Sequence, residues 1–176
     1  MGLGAYPANG DKWLGMLGMH GTYEANNAMH DCDLLINIGA RFDDRITGRV
    51  DAFSPNSKKI HIDIDPSSIN KNVKVDIALV GDVKFVLEKF VHAIKKKYPN
   101  FENSNKQKIS AWWDQIGTWR KKNSLGYVNS KNVIKPQYAV QRLYELTKAQ
   151  DVFITTEVGQ HQMWAAQHYK FDKPNR

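Results

Sequence analysis

Three short apolar segments constrain the fold of this chain more than any other feature. They are DLLINIG at residues 33–39, KKIHIDIDP at residues 58–66 and DIALVGD at residues 76–82. Short apolar runs bounded by turn residues are typical of buried parallel strands. A fourth run, DVFITT at residues 151–156, has the same character. These segments therefore predict four strands.

Amphipathic helices are predicted before, between and after these strands. One spans residues 22–31, one follows Asp82 as its N-cap, and one occupies about residues 106–122 after a linker at residues 98–106. Two more follow, the first entered through Pro136, a favoured first-turn residue. Strands that alternate with helices indicate an α/β fold with a parallel sheet.

The charge of the chain favours no nucleic-acid partner. Its 25 Lys and Arg exceed its 18 Asp and Glu, but only residues 95–97 form a dense lysine cluster. That cluster lies at a predicted helix end, where cations interact favourably with the helix dipole. Trp112, Trp113 and Trp119 stand at helical spacing, which is more typical of a packing surface than of a base-stacking platform.

Nothing in the sequence points to a membrane or to secretion. No apolar run approaches the roughly 20 residues needed to span a bilayer, and the first residues lack the pattern of a secretory signal. The single cysteine, Cys32, fits a reducing compartment. We therefore expect a soluble, cytoplasmic protein.

Residues with ligand-binding potential follow the predicted strands. Gly39 permits close backbone approach, Arg41 and Arg45 suit phosphate oxygens, and Asp63 can accept a ribose hydroxyl. Gly81 opens the next helix. In open α/β sheets ligands bind beyond the carboxyl ends of strands, so the pattern favours a nucleotide-like ligand. Ordinary turn chemistry is the alternative.

A glycine-rich stretch, LGMLGMHG at residues 14–21, precedes the first predicted helix. It is too rich in glycine for a packed helix and too apolar for a solvated loop. It predicts either an awkward turn or a backbone surface against which a flat, phosphorylated ligand lies.

A metal site is not predicted. His61, Asp63 and Asp65 share one strand face, but His61 and Asp65 would lie about 13 Å apart at ~3.3 Å per residue. That separation does not close one coordination sphere.

Three long segments, in order, resemble the large catalytic subunit of acetohydroxyacid synthase (acetolactate synthase), a family that depends on thiamine diphosphate. They are GMLGMHGTYEANNAMHDCDLLINIGARFDDRITG, KIHIDIDPSSINK and VGQHQMWAAQHYKFDKPNR. The likeness runs nearly end to end and is weakest in residues 95–135.

The resemblance implies an incomplete, doubly wound Rossmann-like central domain with a parallel sheet, followed by the first elements of a second α/β domain. The implied boundaries are residues 1–97 for the later part of the FAD-binding central domain, 98–134 for a linker with a Trp-rich helix, and 135–176 for the beginning of the thiamine diphosphate-binding domain.

The resemblance also implies site residues. The positions that match FAD contacts are Leu17, Gly18, Met19, His20, Gly21, Gly39, Arg41, Asp43, Arg45, Asp63, Ile64, Gly81, Asp82 and Val83. Those that match thiamine diphosphate contacts are Val158, Gly159, Gln160 and His161. Those that match the substrate channel are Met19, Arg41 and Asp44.

The implied activity is the condensation of pyruvate with a second 2-ketoacid, pyruvate or 2-ketobutyrate, with loss of CO₂, in isoleucine and valine biosynthesis. The implied cofactors are FAD, thiamine diphosphate and Mg²⁺. The implied partners are the 2-ketoacid substrates, a second copy of the full-length subunit and a small regulatory subunit.

Two parts of the family's machinery are not expected in this chain. The glutamate that activates the cofactor belongs to an amino-terminal domain, and the metal-binding GDG…N motif would follow Arg176. We therefore expect a fragment that is inactive by itself and contains no catalytic or metal-binding residue. Whether the full-length protein carries an organellar transit peptide is left open by the sequence. The alternatives are a stand-alone flavin- or nucleotide-binding module and a related thiamine diphosphate carboligase.

Overall fold

The computed structural model describes residues 2–176, which form two compact units. The first unit contains the residues up to Ala25 together with residues 123–176, and the second unit contains residues 26–122. The three domain boundaries drawn from the sequence remain a prediction.

A parallel three-stranded sheet forms the centre of the second unit. Its strands are β1 (Leu34–Ile38), β2 (Lys58–Asp63) and β3 (Ile77–Val80), in the spatial order β1-β2-β3. These confirm three of the predicted strands and the α/β class. The prediction for residues 58–66 overran the end of β2, because the chain turns at Asp65, whose carboxylate accepts the backbone N–H of Ser67.

Among residues 2–176, four α-helices belong wholly or partly to the second unit. They are α1 (Tyr23–Asp31), within which the chain passes from the first unit to the second, α2 (Asp44–Thr47), α3 (Val83–Lys97) and α4 (Phe101–Arg120). α3 packs against β2. The carboxylate of Asp82 accepts the backbone N–H of Phe85 at 3.0 Å, which confirms Asp82 as the N-cap of α3.

The core of the second unit lies on one face of the sheet. Phe42, Phe53 and Val73 are buried together there. The partly buried side chains packed against them are Met29, Leu35, Ile46 and Val75. On the opposite face of β2, Ile60 and Ile62 are also buried, so the middle strand is covered on both sides.

The first unit is built around α5 (Pro136–Thr147) and α6 (Gln160–His168), which pack together. The ring of Tyr169 lies edge-on to that of Tyr144, with centroids 5.3 Å apart, and its hydroxyl bonds that of Thr147 at 2.9 Å. Pro136 is in the first turn of α5, as predicted.

The fourth predicted strand is wrong. Residues 151–156 have no regular secondary structure, and Phe153 in their middle is exposed. A strand is stabilised by hydrogen bonds to a neighbouring strand. Among residues 2–176, strands pair only within the sheet of the second unit.

The predicted linker at residues 98–106 is also wrong in its extent, because α4 begins at Phe101. Asparagine and serine suggested a loop here, but the first turns extend a long helix that is already nucleated, and extension adds one hydrogen bond per residue. Ile116 is the buried residue of α4, and Trp112 packs edge-on against Trp119, with ring centroids 5.6 Å apart.

Within residues 2–176, every helix is too short or too polar to cross a membrane.

Candidate functional site

The glycine-rich stretch of the first unit forms a tight turn. Residues 18–20 make one turn of 3-10 helix, which is closed by the N–H of Gly21 donating to the carbonyl oxygen of Gly18 at 2.9 Å. A Cβ on Gly21 would lie 2.5 Å from the carbonyl oxygen of Met16, so only glycine fits. Met19, in the middle of this turn, is 65% exposed.

Two polar side chains fix this turn. The hydroxyl of Thr22 donates to the carbonyl of Leu14 and accepts the N–H of Ala25 at 3.1 Å, so it caps α1. The amide of Gln167, in α6, donates to the carbonyl of His20 at 2.9 Å. Sequence reasoning missed Gln167, because nothing near it in the chain indicates a partner 147 residues away.

The segment after β1, residues 39–45, leaves the sheet through two left-handed residues. Gly39 has φ +63°, and a Cβ built on it meets nothing within 4 Å, so the surface beside it is open. Phe42 has φ +51° and a buried side chain. Asp43 caps α2 by accepting the N–H of Arg45 at 3.1 Å.

The charges of this segment face solvent. Arg41, Asp44 and Arg45 are exposed, and the guanidinium of Arg45 lies 3.7 Å from the carboxylate of Asp44. Exposed pairs of this kind contribute little to stability. Their charges are therefore accessible to a ligand.

Asn72 holds the segment from outside. Its side-chain amide donates to the carbonyl oxygens of Arg41 at 3.2 Å and Phe42 at 3.0 Å. Sequence reasoning missed Asn72, because the contact joins residues about 30 positions apart and carries no local signal.

The end of β2 holds a buried polar pair. Asp63 is 8% exposed, and its carboxylate accepts the backbone N–H of Asp65 at 2.9 Å. His61 is fully buried, and its Nε2 lies 3.6 Å from Oδ2 of Asp63. The carboxylate of Asp63 therefore turns toward its own strand and turn, whereas the sequence predicted that it would point to a ligand. Ile64, beside it, is exposed.

The next carboxylate along the chain, that of Asp65, is held in its ionised form. The side-chain hydroxyl and the backbone N–H of Ser67 both donate to it and lower the pKa of Asp65. Asp65 is exposed, so its charge lies beside the end of β2 at neutral pH.

The three strand ends converge at one edge of the sheet. The N–H of Gly39 donates to the carbonyl of Ile62 at 2.8 Å, and the N–H of Gly81 donates to that of Asp63 at 2.9 Å. The ladder thus continues one step beyond the strands, and α3 begins at Val83 directly after. The structure thus brings the predicted residues Gly39, Asp63 and Gly81 together at this edge.

In the first unit, residues 158–161 lie at the start of α6. Val158 is 87% exposed, and the N–H of Gln162 donates to the carbonyl of Gly159 at 3.2 Å. The first backbone N–H groups of a helix attract anions. In residues 2–176 no three His, Cys, Asp or Glu side chains are grouped to hold a metal ion.

Comparison with known proteins identifies relatives along the whole chain. The family model described as thiamine pyrophosphate enzyme, central domain, matches residues 1–90. The acetolactate synthase large subunit of Haemophilus influenzae is 51% identical over 174 residues, which cover 99% of this chain and 30% of that protein.

Two further relatives show how widely the similarity extends. The acetolactate synthase isozyme 3 large subunit of Escherichia coli is 47% identical over 176 residues, 100% of this chain and 30% of that protein. Acetolactate synthase 1, chloroplastic, of Nicotiana tabacum is 43% identical over 176 residues, 100% of this chain and 26% of that protein. The chain thus spans less than a third of the length of these relatives.

Proposed function

The chain belongs to the thiamine pyrophosphate enzyme family, and on that premise we propose that it forms part of the large catalytic subunit of an acetolactate synthase. The observation that carries the proposal is the extent of the similarity. The family model ends at residue 90, whereas the acetolactate synthases match almost the entire chain.

The proposed reaction condenses pyruvate with a second 2-ketoacid, pyruvate or 2-ketobutyrate, and releases CO₂, as a step in branched-chain amino-acid biosynthesis. Thiamine diphosphate supplies the electron sink for the decarboxylation. This chain would contribute binding and orientation, while the activating glutamate and the ligands of Mg²⁺ are proposed to lie in other parts of the full-length subunit.

FAD is proposed to bind at the strand ends of the second unit. Three features support it: open space beside Gly39, exposed cations at Arg41 and Arg45, and the N-terminus of a 15-residue helix at Val83. Because the carboxylate of Asp63 is turned inward, we assign the contact there to the backbone of residues 63–64.

The remaining predicted contacts complete the proposal. The exposed turn at residues 17–21 is proposed to contact FAD, and residues 158–161 are proposed to bind the diphosphate of thiamine diphosphate. Met19, Arg41 and Asp44, all exposed, are proposed to border the substrate path.

The assembly is also a proposal. The relatives are named large subunits, which supports a small regulatory subunit as a partner, and a homodimer of the full-length subunit is the expected core. Size-exclusion chromatography with light scattering, with and without the small subunit, tests both.

We propose a cytoplasmic location, with a chloroplast as the alternative that the name of the tobacco relative suggests. Cell fractionation tests this proposal.

The activity is tested with the full-length subunit that contains this chain. Supplied with pyruvate, thiamine diphosphate, Mg²⁺ and FAD, it should form acetolactate, and the 176-residue chain alone should form none. Turnover by the chain alone would contradict the proposal that catalytic groups lie elsewhere. A full-length subunit that joins different aldehyde or ketoacid substrates would identify a related carboligase.

A second candidate, a flavin-binding module without catalysis, is supported by the convergence of three strand ends within the second unit alone. Calorimetric titration of the chain with FAD tests it. Tight, stoichiometric binding favours the module, and absence of binding removes it. Gly39→Ala should weaken FAD binding about ten-fold, equivalent to ~1.4 kcal/mol. Gly48→Ala is the matched control, because Gly48 also has positive φ and open space.

A further inference from the structure

The backbone of Phe42 is held in a conformation that it would not adopt unaided. Its φ of +51° lies in the left-handed region, which is a genuine outlier for a bulky residue and is energetically unfavourable. Such a conformation persists only when the surrounding structure enforces it. Two sets of contacts do so here.

The first set anchors the side chain. The ring of Phe42 is buried and lies edge-on to the ring of Phe53, with centroids 5.6 Å apart, and to the imidazole of His61 at 5.2 Å. These contacts fix the position of the ring. They leave the orientation of the two peptide groups around Phe42 to other interactions.

The second set fixes those peptide groups. The carbonyls of Arg41 and Phe42 belong to the peptide planes on either side of the Phe42 Cα, and the amide of Asn72 donates to both. One side chain thus fixes both planes that define the left-handed conformation. The directions in which Arg41 and residues 43–45 leave the backbone follow from it.

The position of Asn72 is fixed by its neighbours in the chain. The next residue, Val73, is buried in the same cluster as Phe42 and Phe53. The loop that contains both residues is closed by the N–H of Val75, which donates to the side-chain oxygen of Asn70 at 2.9 Å. The amide of Asn72 therefore meets the segment from a fixed position.

We propose that Asn72 is a positioning residue for flavin binding, which acts by setting the backbone of residues 39–45. This inference rests on the proposed function, because residues 41, 43 and 45 are the proposed FAD contacts. Asn72 is exposed, so its hydrogen bonds add little to global stability. Its effect is on the local geometry of the segment.

The test uses the full-length subunit with Asn72→Ala, which removes the amide, and Asn72→Asp, which keeps the size but replaces the N–H donor with an acceptor. Asn105→Ala is the matched control, since the amide of Asn105 also donates to a backbone carbonyl, that of Phe101, away from this segment. Three quantities are measured: the Kd for FAD, the Tm of the apoprotein, and the rate of tryptic cleavage after Arg41 and Arg45.

Both Asn72 variants should bind FAD about ten-fold more weakly and be cleaved faster at Arg41 and Arg45, while their Tm matches that of Asn105→Ala. Unchanged affinity and cleavage would overturn the inference and leave the proposed function standing. A fall in Tm that accounts for both changes would also overturn it, as a general structural role. Failure of the unsubstituted subunit to bind FAD would overturn the flavin proposal itself, and the cleavage rates would then show whether Asn72 still orders the segment.

Discussion

The imidazole of His61 meets the ring of Phe42 edge-on, with the two centroids 5.2 Å apart and the planes inclined by 77°. This contact joins the middle strand of the sheet to the segment that carries the proposed FAD contacts. Neither nitrogen of His61 has a hydrogen-bond partner among residues 2–176, so the imidazole serves there chiefly as a packing group. The position of the segment thus depends on the core of the second unit.

Removal of the Phe42 ring should therefore be costly. Phe42→Ala leaves a cavity between Phe53 and His61 and should lower the free energy of unfolding by about 3–5 kcal/mol. Urea denaturation of the chain measures it. Phe85→Ala is the matched control: Phe85 is 59% exposed, so the loss should stay below about 1 kcal/mol. Equal losses would show that Phe42 does not belong to the core.

The cap of α3 should contribute measurable stability. Asp82→Ala leaves the N–H of Phe85 without its carboxylate acceptor and should cost about 1 kcal/mol in urea denaturation. Asn100→Ala at the start of α4 should cost close to nothing, because the side chain of Asn100 makes no capping hydrogen bond. A reversed order of the two losses would contradict the assigned caps.

Alanine should have opposite effects at two glycines. Gly21→Ala places a methyl group 2.5 Å from the carbonyl oxygen of Met16, so the 17–21 turn must distort and the Tm should fall. Gly117→Ala lies in α4, where a Cβ meets nothing within 4 Å, and should stabilise the chain by roughly 0.5–1 kcal/mol. Thermal denaturation followed by circular dichroism compares them. A Tm for Gly21→Ala at or above the original would show that the turn is not so tightly closed.

Because of His168, the free energy of unfolding should decrease as the pH falls below 6.5. Burial beside Tyr127 lowers the pKa of His168 below its ordinary value of 6.5. Above pH 6.5 the imidazole is neutral in both states and its contribution is complete. As the pH falls below 6.5, the unfolded chain takes up the proton first, so the free energy of unfolding falls until the folded pKa is passed.

Urea denaturation between pH 5 and 8 measures this effect, with His168→Gln for comparison. The variant should have a flatter pH dependence in this range. The matched control, His92→Gln, replaces an exposed histidine on α3 and should leave the dependence unchanged. A slope identical in all three proteins would exclude His168 as its source.

The sequence by itself determined the three paired strands, the cap at Asp82 and the helix entered at Pro136, because each is specified by residues adjacent in the chain. Residues 151–156 have the same local pattern but form no strand, since a strand also needs a partner, and partners are distant in sequence. The extra turns at the start of α4 were hidden for a related reason, because a long helix extends through residues of weak individual preference.

The candidate site divides in the same way. The glycines and charges at the strand ends could be identified from the sequence, because each directly follows a predicted strand. Their proximity could also be expected, because parallel strands bring their carboxyl ends to one edge of the sheet. The inward turn of Asp63 was decided by the backbone N–H of Asp65, which donates to its carboxylate. The hydrogen bonds from Asn72 to the carbonyls of residues 41 and 42 were decided by the core, which places the loop of Asn72 beside them. Only tertiary packing brings together residues 30 positions apart.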